Sequence, residues 1–357
     1  MRHTGKVTAI LLAIVVLAMS CFCVSAEKTG TKLYRYRDYE YFYRGNSAQI
    51  FDYCGTESKL KIPSKINGRK IIKIGYDDDT KFFYYEPAEG WWHYGFWYNE
   101  YVEEVSLPET VTELGYECFA YCDRLRKVKL GNGIKRLNKR EFAQCERLKS
   151  LNMPESLEDF CVSSIAGTRI KKVRFGKNLK KFDDEFYAQL ESISVSKKNK
   201  RFSSEKGVLY NKKKTKLIYY PSESKRKSIK LPDTITELDD IYWTKLESIT
   251  LPKKLKKLKY TAIEDNQKLT QIKFTGKEKI TVEKRAVYDC RKLKTVTIPE
   301  NVVKIGKKAF GFWEYEYKKN GEYISEDKKI EGFTIRGKKD SAAYKYAKKY
   351  GFSFIEI

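Results

Sequence analysis

Two histidines, His3 and His93, are all the imidazoles in the 357 residues. His3 falls in a leader-like segment, so His93 alone would have to serve as an imidazole base or zinc ligand. A catalytic centre needs several convergent groups. The scarcity therefore disfavours His-dependent hydrolysis and most zinc chemistry. Asp77, Asp78 and Asp79 form a charge run without the spacing of a calcium loop. Cys118 and Cys122 have no matching Cys or His pair to complete a metal site. Gly332–Lys339 approaches a phosphate loop, but Lys339 stands where Ser or Thr is required, and the stretch reads as a strand instead of a helix start. Leu107–Val111, LPETV, has the letters of a sorting signal but no Gly and no apolar tail after it, and is read as structural. Two carboxylates suffice for glycoside hydrolysis, yet no position singles out such a pair. No catalytic residue, metal or cofactor is expected.

The residue types point to binding. Lys and Arg number 72 against 47 Asp and Glu, a formal charge of +25. Such a field speeds encounters with anionic surfaces and makes them salt-sensitive. Hydrophobic residues make up 41% and aromatics 14%, enough to argue against a disordered chain. The segment Phe82–Tyr101 holds eleven aromatics in twenty residues, with three of the five tryptophans, Trp91, Trp92 and Trp97. Stacked rings beside acids can grip sugar faces or anchor a protein interface. The alternative is a cluster packed on the flank of the fold.

The elements that would position these groups are repeats. An apolar-x-apolar strand signal recurs at Leu60, Val105, Val128, Leu151, Val173, Ile193, Ile229, Ile249, Ile272, Val296 and Phe333, often followed by Pro or Gly. From Val105 the steps are 23, 23, 22 and 20 residues; from Ile229 they are 20, 23 and 24. Between strands a second column recurs: Leu114, Phe119, Cys122, Leu125, then Leu137, Phe142, Cys145, Leu148. It returns as Leu258, Ile263, Asn266, Leu269 and as Val282, Val287, Cys290, Leu293. One unit of this size cannot close a core; stacked units can. Each unit is expected to supply a strand, a turn and an apolar half-helical segment. The Cys/Asn slot, with Thr168 in the unit near Leu157 and Trp313 in the unit near Ile305, is expected to bond the backbone of a neighbouring coil. The units at Leu179 and Ile235 read as lacking it.

Alternation turns the residues beside each strand centre outward. Lys127, Lys129, Lys172, Arg174, Lys230 and Lys273 are the candidate ligand-binding cations of this face. It is read either as a solvated sheet face or as a docking surface for an anionic polymer or acidic protein. Of the eight cysteines, Cys21 and Cys23 precede the expected cleavage site. Cys54, Cys118, Cys122, Cys145, Cys161 and Cys290 are expected as free, mostly buried thiols, although an exported chain with an even count also invites disulfides.

The segments LPETVTELGYECFAYCDRLRKVKL (Leu107–Leu130) and IPENVVKIGKKAF (Ile298–Phe310) closely resemble the BspA-type leucine-rich repeats of secreted and surface bacterial proteins. GVLYNKKKTKLIYYP (Gly207–Pro221) resembles the β-hairpin unit that interrupts such arrays. Tyr41–Gly75 resembles an opening repeat, and KDSAAYKYAKKYGFSFIEI resembles a closing cap. The resemblance implies an α/β solenoid. It would be a leucine-rich repeat right-handed superhelix with one parallel β-sheet, a β-hairpin insertion and a C-terminal helix-strand cap. The expected layout is a signal peptide over 1–26, an N-terminal cap over 27–59, and an array over 60–336. Inserts fall at 76–101, 197–227 and 314–330, with the cap at 337–357. It also implies attachment to an extracellular protein, anionic surface polymer or glycan, by a monomer.

Arg2 and Lys6, the apolar run Ala9–Met19 and the small residues Val24-Ser25-Ala26 have the order of a secretory signal, with cleavage expected after Ala26. Removing two basic residues from +25 leaves +23. A lipoprotein reading at Cys21 fits Ala18 and Met19 poorly. The chain is therefore expected outside the cell, possessing no further membrane segment. Export and the lack of a recognised module disfavour nucleic acid as a partner.

Overall fold

The computed structural model describes residues 32–75, 84–86, 91–93, 96–184 and 188–357, with 84–86 and 91–93 as backbone. The leader and most of the aromatic insert lie outside the described residues. Two compact units are formed. Among the described residues one comprises those up to Arg169 together with 181–184, the other Ile170–Lys180 with Ala188–Ile357.

In the first unit the strands Lys59–Lys61, Glu104–Ser106 and Lys127–Lys129 pair in parallel, with Leu60 opposite Val105 and Val105 opposite Val128. These three central residues are buried, and the period of two sends their polar neighbours outward. A second parallel set comprises Arg136–Leu137, Asp159–Cys161 and Lys181–Asp183. At the N-terminal end Tyr34–Tyr36, Tyr39–Arg44 and Ser47–Tyr53 are antiparallel; Ser47–Tyr53 then pairs in parallel with Arg69–Ile74. Inside, each coil adds one ring to a row. Phe96 and Phe119 have centroids 4.8 Å apart, and Phe119 stacks on Phe142 at 5.6 Å and 5°.

The second unit shows the coil in full. Ser228–Lys230, Ser248–Thr250 and Gln271–Lys273 form one parallel sheet. Glu237–Leu238, Lys257–Leu258, Ile280–Val282 and Val302–Ile305 form another. Ile241–Tyr242, Ile263–Glu264, Val287–Tyr288 and Phe312–Lys319 form a third. A coil such as that beginning at Ser248 thus gives one short strand to each sheet. Antiparallel strands Phe202–Glu205, Val208–Asn211 and Leu217–Tyr219 precede this array, and an antiparallel hairpin, Phe312–Lys319 with Glu322–Lys329, leaves it. The helix Ala342–Tyr350 closes the unit. Ser341 caps it by accepting from the Tyr344 amide, and Gly351 ends it at φ 65°, a conformation glycine adopts at little cost. The final strand, Ser353–Glu356, pairs in parallel with Thr334–Gly337.

The parallel solenoid, hairpin insertion and helix-strand cap agree with the expected fold. The segments between the main strands do not form half-helices. Among the described residues helix occurs only as a 3-10 turn at Val162–Ile165 and as Ala342–Tyr350. The reason is local. Corners at Thr261, Asp265, Arg285 and Asp289 take positive φ, which interrupts helical continuity, and the β-branched Ile263 and Val287 between them suit short strands.

The polar slot does join coils. Cys122 Sγ contacts the Phe96 carbonyl at 3.0 Å, and Cys145 Sγ contacts that of Phe119 at 2.9 Å. Asn266 Nδ2 donates to the Ile241 carbonyl at 2.8 Å. Thr168 instead donates to Ile165 in its own coil. Two slot assignments are corrected by register. Ile241 lies opposite Ile263, which puts Thr244 in the slot of the unit that read as lacking one; it is buried and donates to Asn266 Oδ1. Tyr288 lies opposite Phe312, so Glu314, not Trp313, follows Cys290. No disulfide involves Cys118, Cys122, Cys145 or Cys290, all buried thiols. Burial pushes the Cys290 thiol up to about 12.

Two measurements test this interior. Asn266 is fully buried, donates to Ile241 and Glu264, and accepts from the Thr244 amide. Asn266→Ala leaves those groups unsatisfied and is expected to lower stability by about 2–4 kcal/mol in urea unfolding. Glu141 is 1% exposed, and burial pushes its carboxyl up to about 7 from 4.5. The folded state then holds a proton that the unfolded state releases, so stability is full below the unfolded value and falls as pH rises through 7. Glu141→Gln keeps an acceptor for the Asn138 amide without the charge. Relative to wild type it should gain up to about 3 kcal/mol between pH 4 and pH 8, read from paired thermal melts.

Candidate functional site

The sheet of the first unit presents its cations in register. Lys59, Glu104 and Lys127 align across three strands, as do Lys61, Ser106 and Lys129. The following coil continues the face with Ser150 and Asn152, which are exposed. Here a groove of about 880 Å³ opens, lined by Arg126, Lys127, Lys129, Arg147, Lys149 and Arg169, with Ser150 and Asn152 between them. Val128 and Leu130 also border it, with their side chains buried in the core.

The charges are unequally matched. Arg126 pairs with Glu103 at 3.0 Å and Glu104 at 3.3 Å, and Lys127 reaches Glu104 at 3.5 Å. Lys129, Arg147, Lys149 and Arg169 are exposed. No ion pair to these four occurs among the described residues. Two glutamates against six cations leave the groove a net excess of about four positive charges. Like charges held within a Debye length of one another, about 8 Å at physiological salt, favour any ligand that brings several negative charges at once.

The other candidates fall elsewhere. Lys172 and Arg174 belong to the second unit, on a strand paired with Ser192 and Ser194. Lys230 and Lys273 are also in that unit, on either side of Thr250 in one row, so roughly 10 Å separates them. Ser228, Ser248 and Gln271 fill the parallel row, and the face is thinner in charge. Trp91 and Trp92 lie on a short strand paired with Tyr84–Glu86; their side chains are outside the described residues. Trp97 is half-buried against Tyr98, at 4.3 Å, and Tyr121, at 5.8 Å.

Arg126, Arg147, Lys149 and Arg169 were missed because alternation was read only at the strand centre. The signal was present. Arg126 and Lys149 both precede the strand position by the same step, in the paired strings DRLRKV and ERLKSL.

Among the described residues no group of three His, Cys, Asp or Glu side chains could hold a metal ion, and no helix is long and apolar enough to cross a membrane.

Comparison with known families matches residues 93–196 and 218–317 to the BspA type leucine-rich repeat region, in six copies. The chain belongs to the BspA-type leucine-rich repeat family. The unmatched interval covers most of the antiparallel strands Phe202–Tyr219 that interrupt the BspA-type coils. Among solved structures the pneumococcal vaccine antigen PcpA is similar at 18% identity, over 91% of this chain and 98% of that one, with a TM-score of 0.52. A leucine-rich cell surface protein of Faecalibacterium prausnitzii is 18% identical over 77% and 90%, at 0.44. A leucine-rich repeat protein of Eubacterium ventriosum is 17% identical over 83% and 100%, at 0.45. No curated protein matches in sequence. These likenesses concern the fold.

Proposed function

We propose that this BspA-type protein acts outside the cell by non-covalent recognition of an anionic surface polymer, using the basic groove of its first unit. The observation that carries the reading is the convergence of six cationic side chains in one open groove, four of them without an acidic partner among the described residues. A protein that needed only a solvated sheet face would gain nothing from concentrating repulsion there. The leader-like order of residues 2–26 supports export. A polymer bearing several sulfates or phosphates can reach more than one of these cations at once. No catalytic step is part of the proposal; the groove lining includes no carboxylate, thiol or imidazole.

The probe is a defined heparin oligosaccharide, titrated at low and physiological salt. Affinity should fall steeply with salt. Lys149→Glu with Arg169→Glu should weaken it by about tenfold or more, while Lys230→Glu with Lys273→Glu in the second unit should leave it nearly unchanged. Equal losses from both pairs would reduce the effect to net charge, and absence of binding at low salt would end the polyanion reading.

A further inference from the structure

The second unit carries a different surface at one corner of its coils. One step past the aligned residues Tyr242, Glu264, Tyr288 and Phe312 stand Trp243, Asp265, Asp289 and Trp313, one from each of four coils, Trp313 within its strand. Their backbones join in sequence: the Trp243 amide donates to Glu264, that of Asp265 to Tyr288, and that of Asp289 to Phe312. Three coil rises separate the tryptophans, or about 14 Å. The side chains between them are wired together. Trp243 Nε1 donates to Asp265 at 2.5 Å. Gln267 Nε2 bridges Asp265 at 2.6 Å and Asp289 at 3.2 Å. Arg291 donates to Asp289 at 2.7 Å while its guanidinium lies 4.0 Å from the Trp313 ring.

At Trp313 the row meets the hairpin, where alternate residues continue the aromatic face. Trp313 and Tyr315 are 5.7 Å apart, and Tyr315 and Tyr317 stack at 5.6 Å. Trp243 is 51% and Tyr315 43% exposed.

The backbone of this corner is set by the repeat, and the equivalent corner of the first unit takes positive φ at Tyr98, Tyr121 and Gln144 as well. This corner imposes positive φ: 53° at Trp243, 51° at Asp265 and 47° at Asp289. Aspartate tolerates that region through local hydrogen bonds, whereas a bulky aromatic pays about 1–2 kcal/mol there. Neither core packing nor turn chemistry requires a half-exposed tryptophan at position 243.

We infer that this corner is a binding strip for a neutral oligosaccharide. The face of a sugar ring presents C–H groups with partial positive charge, which suit the negative face of an indole or phenol. Its hydroxyls need donors and acceptors in fixed positions, and Asp265, Asp289, Gln267 and Arg291 supply both, already oriented by one another. Asp265, Asp289 and Glu326 stand against Arg291 and Lys328 along the strip, an excess of one negative charge; a sulfated or phosphorylated polymer gains little here. A protein partner is less suited. Protein hot spots fill dry apolar pockets, whereas Trp243 is separated from the Trp313, Tyr315 and Tyr317 rings by polar and charged groups that must stay hydrated or bond hydroxyls. The strip is independent of the basic groove.

The test is calorimetric titration of the full chain with chitotriose, cellotriose and maltotriose in about 0.5 M NaCl, where binding through exposed cations is screened. At least one should bind saturably. Trp243→Ala and Tyr315→Ala should each weaken it by about tenfold or more, and Asp289→Asn should do so with the melting temperature little changed. Lys149→Glu, in the groove, should have no effect. If no sugar binds, or if affinity survives both aromatic substitutions, the inference is overturned. Capture of a protein lost with Trp243→Ala while every sugar fails would assign the strip to protein docking instead.

Discussion

Everything in this molecule depends on one coil being unable to satisfy itself. Each turn of roughly two dozen residues has an apolar interior and unpaired backbone on both edges, and only another turn in register supplies what is missing. The parallel ladders do this for the backbone. The Phe row does it for the interior, and the Cys122, Cys145 and Asn266 slot does it at the corner where the ladder would otherwise lapse. Register is therefore shared by every layer: shifting one coil by one residue would turn a buried Ile249 outward and a half-buried Ser248 inward.

That constraint separates two jobs. Interior positions are committed to their neighbours in adjacent coils, so they vary little in type: Leu, Ile, Val, Phe, with a small polar residue in the slot. Outward positions are bound only by solubility and by the turn geometry beneath them. Recognition must then be written on the outside, where a residue repeats at each coil rise and a row of similar groups arises from stacking alone. The basic groove and the Trp243–Trp313 corner are both rows of this kind. They differ in chemistry because the residues placed in them differ; the scaffold under each is the same.

Much of the fold was legible because the interior pattern is strict. The triplets around Leu60, Val105 and Val128 announce their burial by alternation, and the Cys/Asn slot stands out because polar side chains recur at an apolar spacing. What misled was the space between. Half-helices were expected from apolar residues three apart, but left-handed corners at Asp265 and Asp289 divide that stretch into short strands, and single-residue φ values leave no clear trace in a Lys-rich sequence. Thr244 and Glu314 were missed in the slot for a related reason. Coil lengths drift from 20 to 24 residues, so counting from the strand misplaces the corner, whereas hydrogen-bond register does not.

The site was less legible than the fold, for an electrostatic reason. A sequence with 72 basic residues offers many candidate clusters, and alternation alone cannot tell a paired lysine from an unmatched one. Lys127 was visible from sequence but shares Glu104; Arg147 and Lys149 were not singled out, yet they are among those without an ion-pair partner among the described residues. Unmatched charge is a property of neighbours one coil away, and those neighbours are set by register. The same holds at the aromatic corner, where Trp243 and Trp313 are seventy residues apart in the chain and become one surface only after two coils have stacked between them.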